Sequence, residues 1–449
     1  MKIGLLPLYI ALYDDISPQS RPRLEAFYKK IVKAFEEREM EVVQTEDFCR
    51  LKPEFEKAVK TFEEEKVDVI VTIHMAYSPS LESIEALAGT KLPIVVLDTT
   101  ETLEFTQNQD QGEVMFNHGI HGVMDMCSML KRYGKPFAIA AGHYKESNCI
   151  DEVCRYVRAA IAANALKDAK VGLVGGAFEG MGDFAVEPEE LRERFGIIVE
   201  SLTPDVLTEY EPKVTKEDLE RELADNETRF EFHESVVQED YKKSVTTGLA
   251  LRACIENRGY TAFSANFRTV DAMPFIECCK AMERGIGYAG EGDGLTAAFT
   301  GALMKAYPET NFVEIFCPDW KNNMVFLSHM AEINYRIADG KPLASPKPGT
   351  TNYAGYARMK GGEGVYVNIS RGKDDYQLML CPAEMLSYKT DQFPQRIRGW
   401  MRPSGKTTAE FLAAHSKCGA THHSIFVYGA TVEELAYFGE LLSMDTVVI

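Results

Sequence analysis

The chain of 449 residues has no surplus of positive charge, no apolar run approaching a membrane span and no paired-cysteine motif. Lysine and arginine number 49 against 68 aspartates and glutamates, a formal net charge of −19. Nucleic acid and anionic membranes demand concentrated positive charge, so neither is expected as a main partner. A bilayer span needs about 20 predominantly apolar residues in a row, and no stretch comes close. Cysteines number ten and lie far apart, except for Cys278-Cys279 and the loose pair Cys149 and Cys154. With no CxxC, zinc ribbons and thioredoxin-like chemistry are set aside, and free thiols in a reducing cytoplasm are expected. The apolar stretch Ile3 to Tyr13 runs into Asp14-Asp15 with no small-residue cleavage site, so it reads as a buried strand and not as a signal peptide.

The length exceeds what one hydrophobic core serves, which predicts two or three domains. In the first third, short β-branched runs alternate with amphipathic stretches: strands over 2–8, 67–73, 93–97 and 137–141, helices over 22–37 and 114–131. The run VDVIVTI is apolar almost throughout, as a parallel strand covered on both faces must be. This βαβ rhythm predicts a doubly wound α/β domain over 1–168. A second α/β domain is predicted over 169–310, opening with a strand at 171–174. Its acidic stretch 187–243 predicts charged helices near 216–224 and 230–243 with solvated faces. Beyond Phe312, short alternating runs divided by Gly, Pro and Asn predict a β-rich, barrel-like third domain over 311–449, closed by a helix at 432–442.

Chemistry concentrates in Gly285 to Met304, GIGYAGEGDGLTAAFTGALM, a glycine-dense turn holding Glu291 and Asp293 ahead of a small-residue helix. Glycines admit close approach of backbone, and the carboxylates suit a metal or a sugar hydroxyl. No GK[ST] follows, and the acids behind Gly285, Gly287 and Gly290 would repel a pyrophosphate, so neither a P-loop nor a dinucleotide fingerprint fits. Downstream stand Phe312, Glu314, His329, Glu332 and the adjacent pair His422-His423, in a chain with nine histidines. Neighbours on a strand face opposite ways, so at most one of that pair is expected to coordinate directly. Two Glu and two His would suit Mn²⁺ or Co²⁺.

Gly290-Glu291-Gly292-Asp293, Phe312-x-Glu314, Ser328-His329-Met330-x-Glu332 and Gly419-Ala420-x-His422-His423 together resemble the L-arabinose isomerase family. The likeness extends from His74-x-x-x-Ser78-Pro79 through Asn117, His121-Gly122 and Gly142-His143 to the end. It implies two α/β domains followed by a β-rich one. It also implies that Glu291, Glu314, His329 and His423 bind a divalent metal, usually Mn²⁺, with Glu291 and Glu314 in acid–base roles. Asp293, Phe312, Glu332, His422 and Met181 match sugar-pocket positions. Leu8, Tyr9 and His121 match positions that complete a neighbouring subunit's site, which implies a homo-oligomer, a trimer or hexamer. Departures affect the sugar-reading shell: Leu6-Pro7 and His118 stand where the family carries glutamines, and Cys317-Pro318-Asp319-Trp320 replaces an acidic-aromatic run in a shortened segment.

The function expected is interconversion of an aldose and a ketose on a free monosaccharide, by a proton (cis-enediol) or a hydride moving between C2 and C1. The alternatives are the same chemistry on a deoxy-sugar, another pentose or an acid-bearing hexose, a metal-dependent epimerase or hydrolase, and a non-catalytic sugar-binding protein. The absence of a G-x-S-x-G elbow removes one hydrolase class.

Overall fold

The buried apolar runs of the first third become strands of one parallel sheet. A computed structural model describes residues 1–270, 273–348 and 352–449, in two units, Met1–Ile161 and Ala162–Ile449. In the first unit, β1 (Lys2–Leu8), β2 (Glu41–Gln44), β3 (Val69–His74), β4 (Ile94–Asp98) and β5 (Phe137–Ala141) lie in the order β2-β1-β3-β4-β5. All pairings are parallel, and β3 is buried at every residue because both sheet faces are covered. Leu6, Leu8, Ile70, Val96, Phe62 and Met126 share one core on the face covered by helices Lys52–Glu64, Ser80–Gly89 and Ile120–Arg132. The single helix expected over 114–131 is two, Val114–Asn117 and Ile120–Arg132. The break falls at His118-Gly119, where a Cβ on Gly119 would stand 2.6 Å from the His74 carbonyl oxygen.

The second unit opens with another parallel sheet. After β6 (Lys170–Val174), β7 (Ile198–Leu202) and the two-residue β8 (Glu231–Phe232) come β9 (Ala262–Ala265) and β10 (Gly287–Gly290). Their sheet order is β10-β9-β6-β7, with β8 paired elsewhere. The helix expected over 230–243 starts later, as Gln238–Arg258, because Glu231 and His233 donate their N–H groups to Pro342 and Ala344 and hold the chain extended. The acidic helices are not merely solvated. Buried Lys280 donates to Glu222 (2.6 Å), Asp225 (2.9 Å) and Asn226 (2.6 Å), and Arg252 joins Glu222 to Glu277.

The remaining strands are β11 (Thr310–Asp319), β12 (Met324–Ser328), β13 (Leu343–Pro346), β14 (Tyr353–Tyr356), β15 (Gly362–Arg371), β16 (Tyr376–Leu386), β17 (Gly399–Pro403), β18 (His423–Tyr428) and β19 (Asp445–Val448). The order β15-β18-β11-β12-β17-β16 closes through β15–β16 into an antiparallel barrel. Opposite β15, β16 divides its edge, residues 383–386 pairing with β17 and residues 377–380 with β19 in parallel. Strands β8, β13 and β14 form a small separate sheet. The architecture is thus parallel-sheet α/β followed by a closed barrel, as the residue patterning indicated. Among the described residues, no helix is long and apolar enough to cross a membrane.

Candidate active site

The turn after β10 reverses the chain into the helix Gly294–Met304 within three residues. Glu291 takes a left-handed conformation (φ 64°) and Gly292 follows at φ 87°. Both flanking glycines answer to crowding: a Cβ on Gly290 would lie 2.3 Å from His329 Cε1, and one on Gly292 2.3 Å from the Gly176 carbonyl oxygen. Asp293 caps the helix, its Oδ1 accepting from the Thr296 N–H (2.8 Å), while its Oδ2 lies 3.0 Å from His423 Nδ1.

Barrel register supplies the other donors. On β11, Glu314 pairs with His423 of β18 on one side and with Ser328 of β12 on the other, and His329 follows Ser328 directly. His329 Nδ1 lies 2.7 Å from Glu332 Oε2, which also accepts from the Ala331 N–H, and Glu332 Oε1 accepts from the Tyr288 hydroxyl (both 2.8 Å). Phe312 sets its ring edge-on to His329 and His423 at 4.9 and 5.0 Å, and Phe184 stacks on His423 at 4.8 Å. Each buried imidazole therefore has Nδ1 committed to a carboxylate and presents Nε2.

Those Nε2 atoms, together with Glu291 Oε2, are buried with no hydrogen-bond partner among the described residues. His423 Nε2 stands 3.7 Å from Glu291 Oε2, and His329 Nε2 stands 3.9 Å from Glu314 Oε2. Glu314, His329 and His423 offer ligand atoms within 4.8 Å of one another, as do Glu291, His422 and His423. Leaving buried donors and acceptors unpaired costs about 1–3 kcal/mol each. Imidazoles fixed by second carboxylates, with carboxylates beside them, form a donor set that fits a divalent cation.

Charge separates the carboxyls. Burial pushes Glu314 above its ordinary value of 4.5, and the imidazoles only partly offset it. Burial acts the same way on Glu291, but pairing with His422 and the charges of His329 and His423 outweigh it and hold the group low. Glu332, despite burial, is held at about 2 by His329 and its other hydrogen bonds. Burial disfavours charge on His329, yet Glu332, Glu314 and Glu291 raise its pKa above 6.5. Burial likewise opposes charge on His422, but Asp183 and Glu291 lift it to about 10.

The model of the L-arabinose isomerase central domain matches residues 181–307, and that of the C-terminal domain matches residues 309–445. The chain belongs to the L-arabinose isomerase family. Members are sugar isomerases, which interconvert aldoses and ketoses, and this chain is one of them. The L-arabinose isomerase of Geobacillus kaustophilus is 25% identical over 404 residues, covering 84% of this chain and 80% of its own. That of Erwinia tasmaniensis is 25% identical over 402 residues, covering 83% and 79%. Among solved structures, a periplasmic solute-binding protein of Actinobacillus succinogenes with bound D-allose matches at 14% identity, covering 68% of this chain and 91% of its own. The TM-score of that match is 0.19.

Within this family member, the second unit brings together Glu291, Asp293, Phe312, Glu314, His329, Glu332, His422 and His423. The opposite facing expected of the histidine pair is corrected. The alternation rule does not separate His422 from His423, because His422 precedes β18: the rings stand 4.3 Å apart, and both Nε2 atoms lie 3.7 Å from Glu291 Oε2. Asp293 divides its oxygens between the helix cap and His423, and Glu332 holds His329 while accepting from Tyr288 and Ala331. Met181 lies in the glycine-rich loop after β6, two residues before Asp183. Leu8, Tyr9, His118 and His121 belong to the first unit, where Leu8 and Tyr9 are fully buried. There His118 Nε2 lies 2.8 Å from the Tyr13 hydroxyl, and its ring faces that of His121 at 6.1 Å.

Sequence reasoning missed Asp183, Phe184 and Tyr288. Asp183 Oδ2 accepts from the His422 backbone N–H (2.9 Å) and lies 2.6 Å from its Nδ1. The signal for the first two was an acid and an aromatic ring closing the glycine-rich run GGAFEGMGDF immediately after a predicted strand. For Tyr288, nothing distinguished a buried strand tyrosine from ordinary core.

Proposed function

We propose that the chain is a divalent-metal-dependent isomerase of a free monosaccharide, with Glu291, Glu314, His329 and His423 as the metal ligands. The observation that carries this reading is the set of buried, unpartnered atoms His329 Nε2, His423 Nε2 and Glu291 Oε2, with each imidazole backed by its own carboxylate. Mn²⁺ is the first choice and Co²⁺ the second, since the donors mix nitrogen with oxygen. His422, held in its charged form, is kept for the sugar. Such an ion would act as a Lewis acid on the sugar carbonyl.

The side chains then divide the work. Glu314, raised by burial, is the carboxyl suited to move a proton, while Glu291 remains ionised. In the enediol route Glu314 takes the C2 proton and delivers it to C1, and the proton that O2 gives up passes to O1. His422 donates a hydrogen bond to a sugar oxygen, Phe184 covers His423 with its face, and Phe312 packs edge-on against both buried imidazoles. A hydride shift would use the same ligands.

The named relatives act on L-arabinose, which therefore leads the list of substrates. Leu6, Pro7, His118 and the shortened segment after Glu314 widen that list to other pentoses, deoxy-sugars and acid-bearing hexoses. A homo-oligomer with sites at subunit interfaces is part of the proposal, supported by the exposed apolar residues Leu12, Ile16, Leu103 and Phe105 of the first unit. A cytoplasmic location is in keeping with ten unpaired thiols.

The test is to strip the protein with chelator, restore Mn²⁺ or Co²⁺ and incubate it with this sugar panel in D₂O under NMR. Metal-dependent ketose supports the reading, and deuterium at C1 selects the enediol route. Folded, metal-loaded protein that converts no sugar refutes the substrate class, and failure to take up metal refutes the ligand set.

A further inference from the structure

The geometry points to Asp183 as a positioning residue for the isomerisation, holding His422 so that Nε2 is the end offered to the sugar; this rests on the isomerase reading above. The loop over residues 175–187 leaves β6 through left-handed Gly175, Gly176 and Gly180. At its base, Gly175 donates its N–H to Leu202 O (2.9 Å) and accepts from the Thr269 hydroxyl (2.9 Å). Further along, the Phe178 N–H donates to the Glu291 carbonyl (2.8 Å), and Gly176 packs against Gly292. The loop is thereby fixed to the Glu291 turn before it reaches the barrel.

At its far end, Asp183 holds His422 while Phe184 stacks on His423 and touches His422 at a tilt. Phe184 lies almost parallel to the His423 ring, at an interplanar angle of 10°. Asp183 Oδ2 grips His422 twice, at its backbone N–H and at Nδ1. With Nδ1 committed to a carboxylate as donor, the imidazole offers the site only Nε2, which stands 3.7 Å from Glu291 Oε2. His329 and His423 are locked by burial as well as by their carboxylates. His422 lacks that second restraint: it lies outside β18 and its side chain is about one-third exposed (32%). Removing Asp183 therefore leaves the His422 ring to its looser contacts with Phe184, His423 and Glu291, none of which holds Nδ1, while both buried imidazoles keep Glu332 and Asp293.

The test compares wild-type protein with Asp183→Ala, Asp183→Asn and Asp183→Glu. Three readouts are taken on each: Mn²⁺ binding by calorimetry, kcat and KM on the best-turned-over aldose, and the ¹⁵N imidazole signals of His422, assigned by their loss in His422→Gln. Asp183→Ala is expected to raise KM about tenfold or more, the scale of one hydrogen bond to a charged group. Mn²⁺ affinity should stay within about twofold of wild type, because no proposed ligand is touched. The His422 Nδ1 signal should lose the shift that its carboxylate hydrogen bond imposes, and Asp183→Glu should recover both that shift and most of the KM. Asp183→Asn separates charge from geometry: it can still accept from His422, so a KM near wild type assigns the effect to orientation, and a KM like the alanine variant assigns it to charge on the same contact. Unchanged KM and unchanged His422 signals in Asp183→Ala would overturn the inference, as would a parallel loss of Mn²⁺ binding and thermal stability, which marks a merely structural tie. Failure of the isomerase reading shows differently, as no ketose from the wild type while the imidazole signals still report how His422 is held.

Discussion

Replacing Glu332 with Gln removes one charge from the buried carboxylate–imidazole pair and leaves its shape. The carboxylate accepts three hydrogen bonds, from Tyr288, Ala331 and His329, two of them on the same oxygen. A glutamine carbonyl can keep the Ala331 and His329 contacts, while its amide meets the Tyr288 hydroxyl, which can turn to accept. Deleting one partner of a buried ion pair outright costs about 3–5 kcal/mol. With most hydrogen bonds retained and His329 free to become neutral, about 1–3 kcal/mol of destabilisation is expected. The loss depends on pH. Glu332 is held at about 2 against an ordinary 4.5, so its contribution is present above 4.5 and lost as pH falls through about 2. His329 is raised above 6.5, so its contribution is full below 6.5 and lost as pH rises through the folded-state value. Urea unfolding of metal-free protein should therefore separate wild type from variant most between pH 4.5 and 6.5, and less at alkaline pH. Because a ligand imidazole loses its anionic partner, Mn²⁺ affinity should also fall about 10–100-fold, or about 1.4–2.7 kcal/mol. Equal unfolding midpoints at both pH values with unchanged Mn²⁺ binding would refute the pairing argument.

Three further substitutions probe the same architecture. Glu291→Gly relieves a left-handed residue that costs about 1–2 kcal/mol, so it should unfold at no lower urea concentration than wild type while losing all turnover in the ketose assay. Gly290→Ala drives a methyl into His329, and a displacement of about 1 Å should cost roughly 100-fold in kcat/KM, read by steady-state kinetics. Asn368→Ala strips the buried amide that donates to Thr421 O and His423 O and accepts from the Thr421 N–H, and should destabilise by about 2–4 kcal/mol in urea unfolding.

Legibility in the sequence followed the periodicity. β5 (Phe137–Ala141) and β18 (His423–Tyr428) lie where alternation and β-branching placed them, because those runs satisfy one local rule each. Boundaries failed where distant partners decide. Glu231-Phe232 is strand because residues 342–344 sit beside it, and the helix over 114–131 breaks at His118, beside a glycine packed against the His74 backbone. The residues of the site were visible as acids and histidines in glycine-rich or strand-edge contexts. Their convergence was not, since it depends on the β12–β11–β18 register. Asp183 stayed hidden because its partner is 239 residues away, and the glycine-rich run before it does not say which residue it meets.

The divided edge of β16 makes the last strand a cover. Residues 377–380 have β15 on one side and only β19 on the other, and the Ile449 N–H adds a further bond to Leu380 O. Stripped of residues 445–449, this stretch would present bare backbone donors and acceptors to any passing strand, the usual template for edge-to-edge association. None of the proposed ligands lies in that strip. A truncated protein should therefore keep its chemistry while losing its solubility, with scattering and sedimentation reporting the damage long before activity does.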